Sequence, residues 1–155
     1  MKPVALTVLA VALACLSSHG QARSANDADC RSGILPALAA GNFSGSLDCR
    51  RDDLKISKVG EIIADRHVFQ IYDYRYRLAP ACPECAIHGG QRIIIMSSGR
   101  YIGQYKPYGT HVAVEKTSLI LSPSAKSDHR TAVNFAPIGP PRRIWFDGEE
   151  LILFR

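Results

Sequence analysis

The chain has 155 residues and a formal net charge of +5. That length fits one domain. The positive balance favours anionic partners, but it falls far short of the dense basic tail or stripe that marks a nucleic-acid binder, so no nucleic acid is expected.

Residues 1–22 read as a secretory signal peptide. Lys2 supplies the positive start, Val4 to Leu16 form an uncharged apolar run, and Gly20-Gln21-Ala22 offers small residues where a signal peptidase cuts. The run is 13 residues long, short of the roughly 20 needed to cross a bilayer core. A buried N-terminal core helix is the alternative, and Ala25 is a second cleavage point that places Arg23 close to the cut. Removal of 1–22 takes Lys2 and no acid, leaving +4 on residues 23–155, expected to be a single disulfide-bearing β domain. The expected location is secreted or periplasmic. Ala12-Leu13-Ala14-Cys15 resembles a bacterial lipobox, although Leu13 stands where a smaller residue is usual and Ala12 where Leu is usual. That resemblance implies a lipid anchor on Cys15, the one route by which a membrane becomes a partner.

Processing after Ala22 leaves four cysteines: Cys30, Cys49, Cys82 and Cys85. An even set in a short exported chain reads as up to two disulfides. The sequence-local pairing is Cys30 with Cys49 and Cys82 with Cys85, with two other connectivities open. Between the first pair, Gly33 to Gly41 is rich in Ala and Leu and predicts a short helix, with Pro36 in its first turn and Gly41-Asn42 ending it. Asn42-Phe43-Ser44 matches a glycosylation sequon.

From Leu54 onward the chain reads as β. In Val68 to Leu78, Tyr72, Tyr74, Tyr76 and Leu78 alternate with Asp73, Arg75 and Arg77, the period-2 pattern of a half-buried strand. Ile93-Ile94-Ile95 predicts a strand buried on both faces, and Ser97-Ser98-Gly99 turns it back into Tyr101 to Lys106. Pro107-Tyr108-Gly109 is a further turn. Strands follow over His111 to Glu115, Ser118 to Ser122 and Thr131 to Phe135, with a polar loop from Pro123 to Arg130. Asp147-Gly148 between two apolar runs is the signature of a type I′ hairpin. About seven to nine short strands with frequent turns predict a mostly β fold, a small antiparallel sandwich or barrel-like domain with a short N-terminal helix.

Cys82-Pro83-Glu84-Cys85 admits three chemistries: a redox disulfide, half of a zinc site with His88, or a structural clip. Redox work calls for a βαβ setting that the surrounding sequence lacks. A structural zinc needs a fourth ligand, and the candidates, His67, His111, His129 or a carboxylate, repeat no ligand spacing. Haem attachment fails because Ala86 stands where His is required. There is no G-x-S-x-G elbow, P-loop, H-E-x-x-H helix or dinucleotide fingerprint. His88-Gly89-Gly90 reads as a flexible turn. Glu149-Glu150 and Asp52-Asp53 are adjacent acids, which a strand would point to opposite faces. No cofactor, metal or catalytic residue is therefore assigned.

The candidate binding residues are Arg75, Arg77, His88, Arg100 and Tyr101. If the tyrosine face packs inward, Arg75 and Arg77 are surface cations able to meet a carboxylate or phosphate. If it faces outward, it is an aromatic platform for a partner or a sugar ring. Ser98-Gly99-Arg100-Tyr101 resembles the inhibitory loops of periplasmic lysozyme inhibitors, in which a Ser-Gly pair precedes a reactive-site Tyr or Lys. The resemblance covers four positions, with the spacing displaced by one residue, and implies an exposed loop meeting a protein partner. The expected function is a non-enzymatic binding or accessory protein of the cell envelope or extracellular space, of an inhibitor or immunity type, with a protein or anionic ligand as partner. The alternatives are a small exported enzyme with a redox or hydrolytic site near Cys82, Cys85 and His88, and a lipid-anchored envelope component.

Overall fold

The structure, a computed structural model, describes residues 34–47, 54–78, 80 and 82–155. The expected signal peptide, Cys15, the Cys30–Cys49 pairing and Asp52-Asp53 lie outside the described residues. The fold is mostly β with antiparallel sheets and one short helix.

Helix α1 (Leu35–Ala40) starts with proline in its first turn, where the missing N–H costs nothing. It ends at Gly41, whose N–H donates to the Ala37 carbonyl at 3.0 Å, and Asn42 then takes a positive φ of 58°. Nine strands follow among the described residues: β1 (Leu54–Ala64), β2 (His67–Arg77), β3 (Gly89–Ser97), β4 (Arg100–Tyr105), β5 (His111–Glu115), β6 (Ser118–Ser122), β7 (Thr131–Asn134), β8 (Arg143–Phe146) and β9 (Glu149–Ile152). They form a four-stranded, a three-stranded and a two-stranded sheet, each ordered as in the sequence. Tight turns set this meander. Ser98-Gly99 joins β3 to β4 and Asp147-Gly148 joins β8 to β9, and all four residues have positive φ, as a type I′ turn requires. After β9 the chain returns to the edge of β4, where Phe154 and Gln104 exchange both backbone hydrogen bonds, at 2.8 and 3.1 Å.

The four-stranded sheet is covered on both faces. Ile93 and Ile95 join the core shared with the other two sheets, alongside Leu119, Leu121, Ile144 and Leu151. Ile94 points the other way, into a second core capped by Leu38 and Phe43. All three isoleucines are fully buried, each stabilising the fold by about 1.5–3 kcal/mol. Tyr74 lies in the second core, with Tyr72 and Tyr76 packed against it, so the tyrosine face points inward.

Two bulges redirect side chains. In β1 the register shifts between Lys58 and Gly60, so Leu54 and Ile56 face the helix while Ile62 and Ala64 face the inter-sheet core. In β4 a shift opposite Ile95 and Met96 passes over Ile102. Tyr105 therefore enters the inter-sheet core and Tyr101 the helix side. One inserted residue inverts the facing of everything beyond it.

Candidate functional site: a basic groove at the end of the first sheet

The open end of the four-stranded sheet carries a row of cations. Lys55 pairs with Arg75 across β1–β2, and Arg75 pairs with Gln91 across β2–β3. Cross-strand partners share a face, and Arg77, two residues beyond Arg75, shares it too. This face is the one that carries Ile71 and Ile93 into the inter-sheet core. At its end the covering sheet stops, and Lys55, Arg75, Arg77 and His88 line an open groove of about 830 Å³. No Asp or Glu is among the described residues lining it. Such a volume lies within the range of about 300–1,000 Å³ seen for small-molecule sites.

A hydrogen-bonded brace holds one wall. Gln91 is 3% exposed. Its Nε2 donates to the Thr110 carbonyl and to Asp73 Oδ1, and its Oε1 accepts from the Thr110 N–H, each at 2.8 Å. Arg75 adds Nε to Asp73 Oδ2 at 2.8 Å and Nη2 to the Thr110 carbonyl at 2.7 Å. The brace pins the loop that carries Tyr108 and Gly109 over the groove. It also occupies much of the Arg75 guanidinium, so the Lys55 and Arg77 cations and the His88 ring are left to meet a ligand.

The opposite wall is the β2–β3 connection. Its base is closed by the Leu78 N–H donating to the His88 carbonyl at 2.6 Å. Further out, Cys82 and Cys85 form a disulfide with a Cα–Cα distance of 5.0 Å, and both cysteines are exposed. With their sulfurs bonded to each other, these cysteines offer no thiolate pair to join His88 around zinc. Among the described residues no group of three His, Cys, Asp or Glu side chains is placed to hold a metal, and no helix is long and apolar enough to cross a membrane. The disulfide is compatible with an extracellular location. Gly90 lets the Tyr76 ring lie across β3, because a Cβ there would stand 2.4 Å from the Tyr76 hydroxyl.

Of the candidate binding residues, Arg75, Arg77 and His88 meet in the groove, whereas Arg100 and Tyr101 lie at the far end of the β3–β4 hairpin. Arg100 is exposed there. Tyr101 corrects the expectation of a reactive side chain on an exposed loop. It is 6% exposed, its ring packed edge-on against Phe43 at 5.8 Å, because the bulge at Ile102 turns it inward. Burial pushes its phenol up to about 12, with Arg92 and Arg155 opposing the shift. Its hydroxyl, Arg92 Nε and Gln104 Nε2 are buried without hydrogen-bond partners among the described residues. Arg92 itself stacks over Phe43 at 5.3 Å and donates to Ser44 Oγ and Gln104 Oε1.

Sequence reasoning missed Lys55, Gln91 and Tyr108. Only the β1–β2 register brings Lys55 beside Arg75, and Tyr108 carried no signal beyond its place in a Pro-Tyr-Gly turn. Comparison with protein-family models, curated proteins and solved structures finds no match.

Proposed function

We propose that this chain is a non-enzymatic binding protein working outside the cytoplasm, of an inhibitor, immunity or envelope-accessory kind, whose basic groove takes an anionic group of its partner. The observation that carries this reading is the clustering of Lys55, Arg75, Arg77 and His88 around one groove whose described lining contains no carboxylate. Cations placed side by side repel one another unless an anion completes the set. Charge-assisted hydrogen bonds from guanidinium and ammonium groups are the strong class of polar contact for carboxylate or phosphate. Export through residues 1–22 and the exposed Cys82–Cys85 disulfide suit this setting. Release as a soluble form is the favoured outcome, with anchoring through Cys15 the variant.

The test is an NMR titration of the exported protein with inorganic phosphate and with acetate. The amides of Gly89, Gly90 and Gly109 should shift saturably, and Arg77→Glu should abolish the shifts. Absence of any groove response to either anion would sink the reading. Intact mass of the secreted form decides export, since a chain beginning at Arg23 and carrying no lipid is the expected product.

A further inference from the structure

Beyond the charge, the groove carries apolar surface that a small inorganic anion leaves unused. Tyr108 is 84% exposed and Ile87 is 64% exposed, and both line it with the cations. Tyr108 sits on the loop pinned by Gln91 through Thr110, so this exposed ring is carried on a braced segment.

We infer that the groove binds an acidic saccharide, with Tyr108 stacking on a sugar ring and Lys55, Arg77 and His88 meeting its carboxylates. This rests on the anion-binding reading above and specifies its ligand. A pyranose ring presents an apolar C–H face to the negative face of an aromatic ring, while its acidic substituents project from the rim toward the cations. A ligand with both features uses everything the groove exposes. Single-stranded nucleic acid fits less well, because stacking of successive bases calls for a series of exposed aromatic platforms along a cationic track. Here Tyr108 is the one tyrosine among the described groove residues that stands largely free of the fold.

The experiment measures binding of the exported protein to oligogalacturonate, a neutral oligosaccharide of equal length, a deoxythymidine oligomer and a glutamate-rich peptide. Oligogalacturonate should bind at least about tenfold more tightly than the other three, the equivalent of about 1.4 kcal/mol. Tyr108→Ala should weaken oligogalacturonate by about three- to tenfold, the worth of an aromatic contact, and leave inorganic phosphate within about twofold because the cations remain. Since Tyr108 is so exposed, this variant leaves the core untouched. Equal binding of the oligonucleotide or the peptide overturns the inference, as does indifference of oligogalacturonate to Tyr108→Ala. In either case a retained phosphate response that Arg77→Glu abolishes keeps the anion-binding function standing; loss of that response removes both.

Discussion

Lys55 and Arg75 stand directly opposite each other across the β1–β2 ladder, two cations where a sheet ordinarily places complementary partners. Asp73 offsets part of this through its 2.8 Å contact with Arg75 Nε, leaving Lys55 without an acid among the described contacts. Like charges in directly opposed positions are destabilising, and the arrangement suits a site that waits for an anion.

Replacing one of the two should therefore separate stability from binding. Lys55→Glu creates an opposed-charge pair and is expected to stabilise the fold by about 0.2–1 kcal/mol, at the lower end because both groups are exposed. The same change should weaken phosphate binding by at least about tenfold, the loss of one charge-assisted contact. Thermal unfolding and an anion titration on the same variant measure both. A variant that loses stability and keeps its affinity would show that the two cations do not act on a common ligand.

The Gln91 brace makes a second prediction. Gln91→Leu keeps the side-chain bulk but strands the Thr110 N–H, which loses its acceptor. A buried donor left unpaired costs about 1–3 kcal/mol, so the midpoint of denaturation should fall accordingly. The Lys106 to Thr110 loop should also exchange its amide hydrogens faster, because its anchor to the sheet is gone. Unchanged exchange at Thr110 would mean that Arg75 alone holds the loop.

Much of this fold is legible in the sequence, and the reason is local. Ile93 to Ile95 reads as a doubly buried strand because three consecutive β-branched residues leave no polar face. Asp147-Gly148 declares its hairpin through the backbone conformation it needs. What stays hidden is register. The bulges beside Lys58 and opposite Met96 each insert one residue, and alternation then predicts the wrong face beyond them. By simple period-2 counting Tyr101 and Tyr105 share a face; in the fold they enter different cores. The candidate site divides along the same line. Arg75 and Arg77 are legible together because they lie on one strand, whereas Lys55 joins them through pairing and Tyr108 through a loop crossing.

The first bulge also has a steric consequence. Beyond it, Gly60 lies so near β5 that an added Cβ would stand 2.9 Å from Val114 Cβ. Gly60→Ala should therefore destabilise by about 1–3 kcal/mol, the range for overpacking a filled site. Val114→Ala in the same chain should recover part of that loss, since it removes the two Cγ atoms that would stand 3.3 and 3.4 Å from the new methyl and leaves only the Cβ contact to be relieved. Urea denaturation of the two single variants and the double variant gives the coupling directly. Strict additivity would show that the strand moves aside instead.

Tyr101 and Tyr105 make opposed predictions, although both phenols are buried and both are pushed above the ordinary value near 10. The Tyr105 hydroxyl donates to the Pro141 carbonyl, whereas the Tyr101 hydroxyl has no partner among the described residues. Tyr105→Phe should cost about 1 kcal/mol at neutral pH, the net worth of a hydrogen bond, while Tyr101→Phe should be neutral or stabilising because an unsatisfied group is removed. Alkaline titration adds a second discrimination. Below pH 10 both phenols are protonated in the folded and the unfolded chain, so their contribution is intact. Above it the unfolded chain releases its protons first, and the contribution of Tyr101 is lost as the pH rises through about 12. Tyr101→Phe should flatten that decline, read as denaturation midpoint against pH. An equally steep decline in the variant would show that the Tyr101 phenol already reaches solvent in the folded protein.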